Sequence, residues 1–420
     1  MKPSIPTFLF ILVLLFSITA GAKDRHPEFG SMEFKEEISG PRYNHTATLL
    51  GSGEVIICGG TKDGGGSILS CEIYDQDEGT WSFSASMLEP RQRHSADLLP
   101  NGRVLVAGGY IGAGHPSLYK HFSGPGNRSL SSCEIYDPEN DEWTRASPMI
   151  TGRFWQRSVV LPGGDILVIG GLNASTGVLG SCEIFRADRM RWEQAAPLNT
   201  ARVRCTASLL NDGRVLVTGG HQGIMKRPIS SCEIYDPEKD MWEYTNPMSK
   251  GRGYHSGVVL SDGRFLVSGG FSSSTTADWN DSEIFDPVEG TWTYAGEMAQ
   301  PRHNHLLIEV DGGEVIMLGG SNCLTGGCHS TMEYFEPRTN TWKESYQVMM
   351  GRKWNTGTVL EDGSVLIAGG LSCGAPTAFT ELFIPPSHSN EEAPVDLVMA
   401  LILIFLLVPV LFIIRAHSGE

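Results

Sequence analysis

The sequence predicts an all-β fold: a seven-bladed β-propeller closed by an N-terminal strand, followed by one C-terminal transmembrane helix. Three observations carry this expectation. Seven Gly-Gly pairs, each ending a short apolar run, stand at Gly59-Gly60, Gly108-Gly109, Gly170-Gly171, Gly219-Gly220, Gly269-Gly270, Gly319-Gly320 and Gly369-Gly370. The steps between them are 49, 62, 49, 50, 50 and 50 residues, and a period near fifty marks units that must stack on their neighbours to bury their faces. In six units an aromatic precedes a tryptophan by seven residues, and residues 397–414 are uninterruptedly apolar.

The unit from Gly251 to Gln300 shows the four strands, here called a to d. Gly257-Val258-Val259-Leu260 runs into the turn Ser261-Asp262-Gly263, and Arg264 to Ser268 then runs apolar into Gly269-Gly270. Short β-rich runs bounded by turn residues read as strands, and the Asp-Gly between them is a hairpin signal. A variable loop leads to Glu283-Ile284-Phe285 in strand c and Trp292 in strand d. The constant pairs are Tyr74/Trp81, Tyr136/Trp143, Phe185/Trp192, Tyr235/Trp242, Phe285/Trp292 and Phe335/Trp342. A fixed offset requires a turn of fixed geometry, because one extra residue would turn every following side chain to the other face. Six residues beyond each tryptophan stands an apolar residue (Met87, Met149, Leu198, Met248, Met298, Val348), and ten beyond stands an arginine.

The seventh unit lacks strand d, with Asn390 where its tryptophan should stand. Met32 lies ten residues before Arg42 and six before Ile38, the offsets of every other strand d. Residues Met32 to Glu37 are therefore expected beside Phe383, leaving no open edge.

The Gly-Gly pair, the following Glu-x-aromatic, the spaced tryptophan and the Pro/Gly-Arg-x-x-His opening together resemble the kelch family of β-propellers, over roughly Gly30 to Pro386. The Asp-Gly-Arg-Val-Leu-Val-x-Gly-Gly style is similar to secreted kelch proteins of prokaryotes. The resemblance implies a common ligand face in the loops around the channel mouth. It also implies that His45, His94, His255 and His305, replaced elsewhere by Gln156, Cys205 and Asn355, form a hydrogen-bonding framework rather than a metal ring. Some kelch-like propellers are oxidases or sugar mutarotases. A copper-radical oxidase needs paired tyrosine and histidine ligands plus a cysteine beside one tyrosine; Tyr254-His255 is the one adjacent Tyr-His in the chain, and nothing completes the set.

Lys2, an apolar run from Phe8 to Ile18 and Ala20-Gly21-Ala22 make residues 1–22 a secretory leader. After the propeller at 30–386 and a linker at 387–396, residues 397–414 are long enough to span a bilayer, and Arg415 places the tail 415–420 in the cytoplasm. The expected localisation is a cell membrane, single-pass, with the propeller on the extracytoplasmic side. A net charge of −16 argues against nucleic acid. Cys71, Cys133, Cys182 and Cys232 occupy one repeat position and read as small buried apolar residues. Cys323 and Cys328 are the expected disulfide, with Cys373 a rival partner, and Asn44, Asn127, Asn173 and Asn280 begin glycosylation sequons.

A residue present in every blade is most simply explained by packing. Glu72, Glu134, Glu183, Glu233, Glu283, Glu333 and Glu381 recur before the strand c aromatic, and Arg42, Arg91, Arg153, Arg202, Arg252, Arg302 and Arg352 are their expected partners. Function must break that symmetry. Two residues after each arginine come Asn44, Arg93, Trp155, Arg204, Tyr254, Asn304 and Trp354, a mixture of aromatics, guanidinium groups and amides suited to recognition. The d-to-a and b-to-c connections that carry them emerge on one face. The insertion from Tyr110 to Ser131, with His115, Tyr119, Lys120, His121 and Phe122, is expected to overhang the same face. No catalytic residue, metal or cofactor is assigned. The reading is a non-enzymatic recognition module for a protein or glycan, with an extracytoplasmic sugar-processing enzyme, mutarotase- or oxidase-like, as the alternative.

Overall fold

The computed structural model describes residues 30–112, 127–223, 226–272, 278–310, 312–323, 325–347, 350–372 and 374–386. The leader at 1–22, residues 113–126 of the insertion, Val348, Cys373 and all of 387–420, including the apolar run, lie outside the described residues. Among the described residues no helix is long and apolar enough to cross a membrane.

Residues Met32–Phe383 form the propeller unit. Its seven antiparallel sheets each hold four strands in the order a-b-c-d. In blade 1 these are Thr46–Leu49, Val55–Cys58, Cys71–Asp75 and Thr80–Ser84. Blades 2 to 6 span 95–146, 157–195, 206–245, 256–297 and 306–347. The a strands of neighbouring blades adjoin one another around the central channel. Strand b is fully buried in each blade, as in Val215–Thr218 and Phe265–Ser268, because both of its faces are covered. That is why it reads as a continuous apolar run rather than an alternating one.

The core lies between consecutive blades. Leu50, Ile56, Cys58, Cys71 and Met87 of the first pack against Val104, Val106, Tyr136 and Trp143 of the second. The cysteines that open strand c are buried in this material as expected, and burial pushes the Cys182 and Cys232 thiols up to about 12. Tyr235 faces Trp242 in direct register with ring centroids 5.0 Å apart. The Trp242 Nε1–H reaches back to Ala196 O of the preceding blade at 3.0 Å. The invariant seven-residue offset thus sets an aromatic pair that also ties one blade to the next.

The Gly-Gly pair has a steric cause. Gly219 and Gly220 have φ of 59° and 91°, and a Cβ on Gly219 would stand 2.4 Å from Arg252 O. Gly220 N–H donates to that carbonyl at 2.8 Å. The strand b exit is pressed onto the loop entering the next blade, so only glycine fits.

Closure occurs as expected, with different boundaries. Strand Ser31–Phe34 lies beside Thr380–Ile384, followed by Val365–Ala368 and Thr356–Val359, completing blade 7. The strand ends before Glu37 because the chain turns inward to bury Ile38 beside Ile57 and Ala378, while Glu36 and Glu37 stay exposed. Lys35 N–H and Ile38 N–H still donate to Thr380 O and Ala378 O at 3.1 and 3.0 Å.

All seven arginine–glutamate pairs form, and all are buried. In blade 6, Arg302 Nη2 donates to Glu333 Oε1 at 2.9 Å and Nη1 donates to Gly319 O at 2.8 Å. Glu333 Oε2 accepts from Ala299 N at 2.8 Å. The pair therefore staples the incoming d-to-a loop to strand c of the next blade. Burial pulls the Arg302 guanidinium down to about 10 and pushes the Glu333 carboxyl up; desolvation outweighs the mutual attraction, as buried ion pairs generally show.

Candidate functional site

The residue following each arginine pairs with the residue following each Gly-Gly, as in Tyr43 with Thr61, Val203 with His221 and His303 with Ser321. These bridges zip the d-to-a and b-to-c loops together on one face. The next residue then turns into the channel mouth. Asn44, Arg93, Trp155, Arg204, Tyr254, Asn304 and Trp354 all adopt left-handed backbone, with φ from 53° to 62°. Their peptides hydrogen-bond from blade to blade: Arg93 N to Asn44 O, Trp155 N to Arg93 O, Tyr254 N to Arg204 O, Asn304 N to Tyr254 O and Asn44 N to Trp354 O, at 2.9–3.3 Å. The seven variable positions are one ring. Its backbone is fixed by the repeat, and its side chains are left free to differ.

The side chains stack across blades rather than each padding its own loop. The Arg93 guanidinium lies 4.3 Å from the Trp155 ring centroid and Arg204 lies 4.6 Å from it. Arg204 also lies 4.5 Å from the Tyr254 ring. Trp155 and Trp354 are half-buried; Trp155 is held between the two guanidinium groups, and Trp354 stacks on Tyr43 at 5.7 Å and 24°. Arg93 is 6% exposed, and its Nε and Nη2 have no hydrogen-bond partner. Burial, and to a lesser degree the neighbouring Arg204, draw its guanidinium down to about 10, where it remains charged at neutral pH.

The framework histidines span blades: Thr46 Oγ1 meets His94 Nε2 at 2.9 Å, Thr218 Oγ1 meets His255 Nε2 at 2.8 Å and Ser268 Oγ meets His305 Nε2 at 2.8 Å. Gln156 does the same work by donating to Ala107 O at 2.9 Å. Burial, reinforced by Arg42, draws His45 down to about 3, and His94, His255 and His305 also fall well below the usual histidine value. Tyr254 and His255 diverge, the ring toward Arg204 and the imidazole toward Thr206 and Thr218. They do not supply paired copper ligands.

Other expectations are corrected or refined. Cys323 and Cys328 do not form a disulfide. The Cys323 thiol points to His303 Nδ1 at 3.8 Å, whereas Cys328 Sγ points to Leu371 O in blade 7 at 3.4 Å. The glycine-rich loop between them aims the sulfurs at different neighbours. The insertion begins and ends as a two-stranded ribbon, Tyr110–Ile111 with Arg128–Ser129. Tyr110 is buried against Phe154 rather than overhanging the mouth. Of the sequon residues, Asn44 sits in the ring with its Nδ2 buried. Asn173 Nδ2 donates to Gly152 O at 2.6 Å and Asn280 Nδ2 to Glu297 Oε2 at 3.2 Å, while Asn127 is half-buried. Sequence reasoning missed His221, His303 and Asp278 on this face. The signal available was variation directly after the repeated arginine for His303 and directly after the Gly-Gly pair for His221; Asp278 lies in a variable loop with no repeat position to mark it.

The Kelch motif profile matches residues 98–150, and that of the KLHDC2/KLHL20/DRC7 Kelch-repeats domain matches residues 156–370, just over half of the 420-residue chain. No curated protein matches the sequence. Among solved structures, a fungal alcohol oxidase of the AA5 family in complex with copper is similar with a TM-score of 0.66 and 17% identity, covering 85% of this chain and 76% of its own. YjhT is similar with a TM-score of 0.55 and 15% identity, covering 74% of this chain and 98% of its own. At such identities the likeness is one of fold. The matched repeats, the seven blades and the stapled Arg–Glu pairs lead to one assignment: the chain belongs to the kelch-repeat β-propeller family.

Proposed function

We propose that the propeller is a recognition module whose channel-mouth ring binds a carboxylate-bearing ligand carried by a protein or a glycan. The observation that supports this is the stack Arg93–Trp155–Arg204–Tyr254. A guanidinium held in place by an aromatic face is a directed, charged donor for a planar anion. The rings supply the stacking surface for the apolar part of the ligand. We further propose that the leader at 1–22 and the apolar run at 397–414 display this face outside the cell on a single membrane span; the support for that placement is the sequence alone.

The oxidase alternative lacks support at Tyr254 and His255, which face different partners. The test is an array of acidic and neutral glycans and peptides probed with the full chain, beside a turnover screen on small sugars. Retention confined to carboxylate-bearing members, and lost in Arg93→Ala, is the expected result. Equal retention of neutral members, or sugar turnover that survives Arg93→Ala, would refute the reading.

A further inference from the structure

Beside Tyr254, three loops bring together a carboxylate, an imidazole and a thiol. Asp278 comes from the b-to-c loop of blade 5, where it bridges to Phe271. His303 follows Arg302 in the loop entering blade 6, and Cys323 lies in the b-to-c loop of blade 6. His303 Nδ1 is 3.0 Å from Asp278 Oδ2 and 3.8 Å from Cys323 Sγ, and the three ligand atoms all lie within 4.8 Å of one another. A tetrahedral zinc ion with Zn–N, Zn–O and Zn–S bonds of about 2.0–2.3 Å needs ligand-to-ligand edges of roughly 3.3–3.8 Å. The His303–Asp278 and His303–Cys323 edges, 3.0 and 3.8 Å, lie within a few tenths of an ångström of that range, and the third edge is no longer than 4.8 Å.

We propose that Asp278, His303 and Cys323 form a mononuclear site for a divalent cation of the zinc class, with its fourth position open on the channel-mouth face.

Several features support the assignment. The Asp278 side chain is fully out of solvent, and its Oδ1 has no hydrogen-bond partner; a buried carboxylate oxygen without a donor is unfavourable unless a cation compensates it. Its Oδ2 accepts from Cys323 N at 2.8 Å, which fixes the carboxylate against the cysteine backbone. His303 Nε2 lies 3.1 Å from Ser321 Oγ. In the tautomer whose Nε2–H donates there, Nδ1 presents its lone pair toward the space beside Asp278 Oδ2, 3.0 Å away, the orientation that a metal ligand needs. The imidazole is oriented by Tyr254 and Phe271, with ring centroids 6.0 and 6.2 Å away. A carboxylate and a thiolate neutralise a divalent ion, and the mixed N, O, S set favours zinc over magnesium or calcium. Because Cys323 is exposed, the site is reachable, and three protein ligands leave a position for water or for an incoming group. No sequence motif marks the site, since no two of its ligands share a loop.

The test uses the full chain stripped with a chelator and titrated with cobalt(II), then zinc. The expected result is a thiolate-to-cobalt charge-transfer band saturating at one equivalent and displaced by zinc, together with a higher melting temperature. Cys323→Ser should abolish the band, and both Cys323→Ser and Asp278→Asn should weaken zinc binding at least tenfold. Cys328→Ser and Cys373→Ser should leave the band intact. Should Asp278→Asn fail to fold, the exposed Cys323→Ser still decides the matter. Absence of the band in the wild-type chain, its persistence in Cys323→Ser, or its loss in Cys328→Ser or Cys373→Ser would overturn the site.

Discussion

The Arg93 guanidinium lies 4.3 Å from the Trp155 ring centroid, although the two residues belong to loops entering different blades. The contact is possible because both residues occupy the same left-handed position of the repeat, where Trp155 N–H donates to Arg93 O at 3.1 Å. The backbone ring sets the spacing, and the side chains decide what the mouth attracts.

Trp155→Ala removes the surface on which both guanidinium groups rest. Cation–π contacts in desolvated settings contribute up to about 2 kcal/mol each, so ligand affinity should fall roughly tenfold or more. The fold also loses these contacts, but a half-buried ring at the mouth leaves a smaller cavity than a core tryptophan, so the melting temperature should fall less than for a core change. Trp242→Ala, in the interblade core, should instead destabilise by about 3–5 kcal/mol. Titration and thermal melts of the two variants separate ring from core, and equal destabilisation would contradict the distinction.

Arg302→Met strands Glu333 as a buried charge and leaves Gly319 O without its donor. Loss of about 3–5 kcal/mol is expected, as for other broken buried pairs. Glu333→Gln also leaves the Arg302 cation without its counter-charge, but it keeps an acceptor for Ala299 N, so its loss should fall toward the lower end of about 3–5 kcal/mol. Denaturant unfolding of both variants reads the order directly.

Deleting residues 30–37 removes the outer strand of blade 7. Thr380 loses its partner at Lys35 N, and Thr380–Ile384 becomes an open edge. A loss of several kcal/mol, against a usual total of about 5–15 kcal/mol, should appear as a lower melting temperature and increased association. A truncated chain that melts like the full one would contradict closure by this strand.

Acid should destabilise the propeller through its buried histidines. The native value of His45 is depressed to about 3, from 6.5, so between these limits the unfolded chain binds a proton that the native fold refuses. Its stability contribution is complete above about pH 6.5 and declines as pH falls toward 3, by at most about 1.4 kcal/mol per pH unit per histidine. His94, His255 and His305 shift in the same direction. His94→Gln, which borrows the residue of blade 3 at this position, should flatten the decline between pH 6.5 and 4 in melts across pH. An unchanged slope would show that His94 does not titrate as a buried neutral group.

The repeat was legible in the sequence because each blade solves the same local problem. Gly219 must avoid Arg252 O, Trp242 must face Tyr235, and Glu233 must meet Arg202. Constraints that recur at fixed offsets leave a periodic trace, so blade count, closure by the N-terminal strand and the ring positions could all be read from spacing. Strand ends were less legible: the burial of Ile38 beside Ile57 and Ala378, which are distant in sequence, decides where the closing strand stops. The site needed the tertiary structure for the same reason. Whether Trp155 is exposed or clamped depends on Arg93 and Arg204 in neighbouring loops. Whether Cys323 meets Cys328 or His303 depends on how the b-to-c loop of blade 6 folds against the loop that enters the blade. Local sterics and hydrogen bonding write themselves into every repeat, whereas contacts between unlike residues of different blades occur once and leave no period to read.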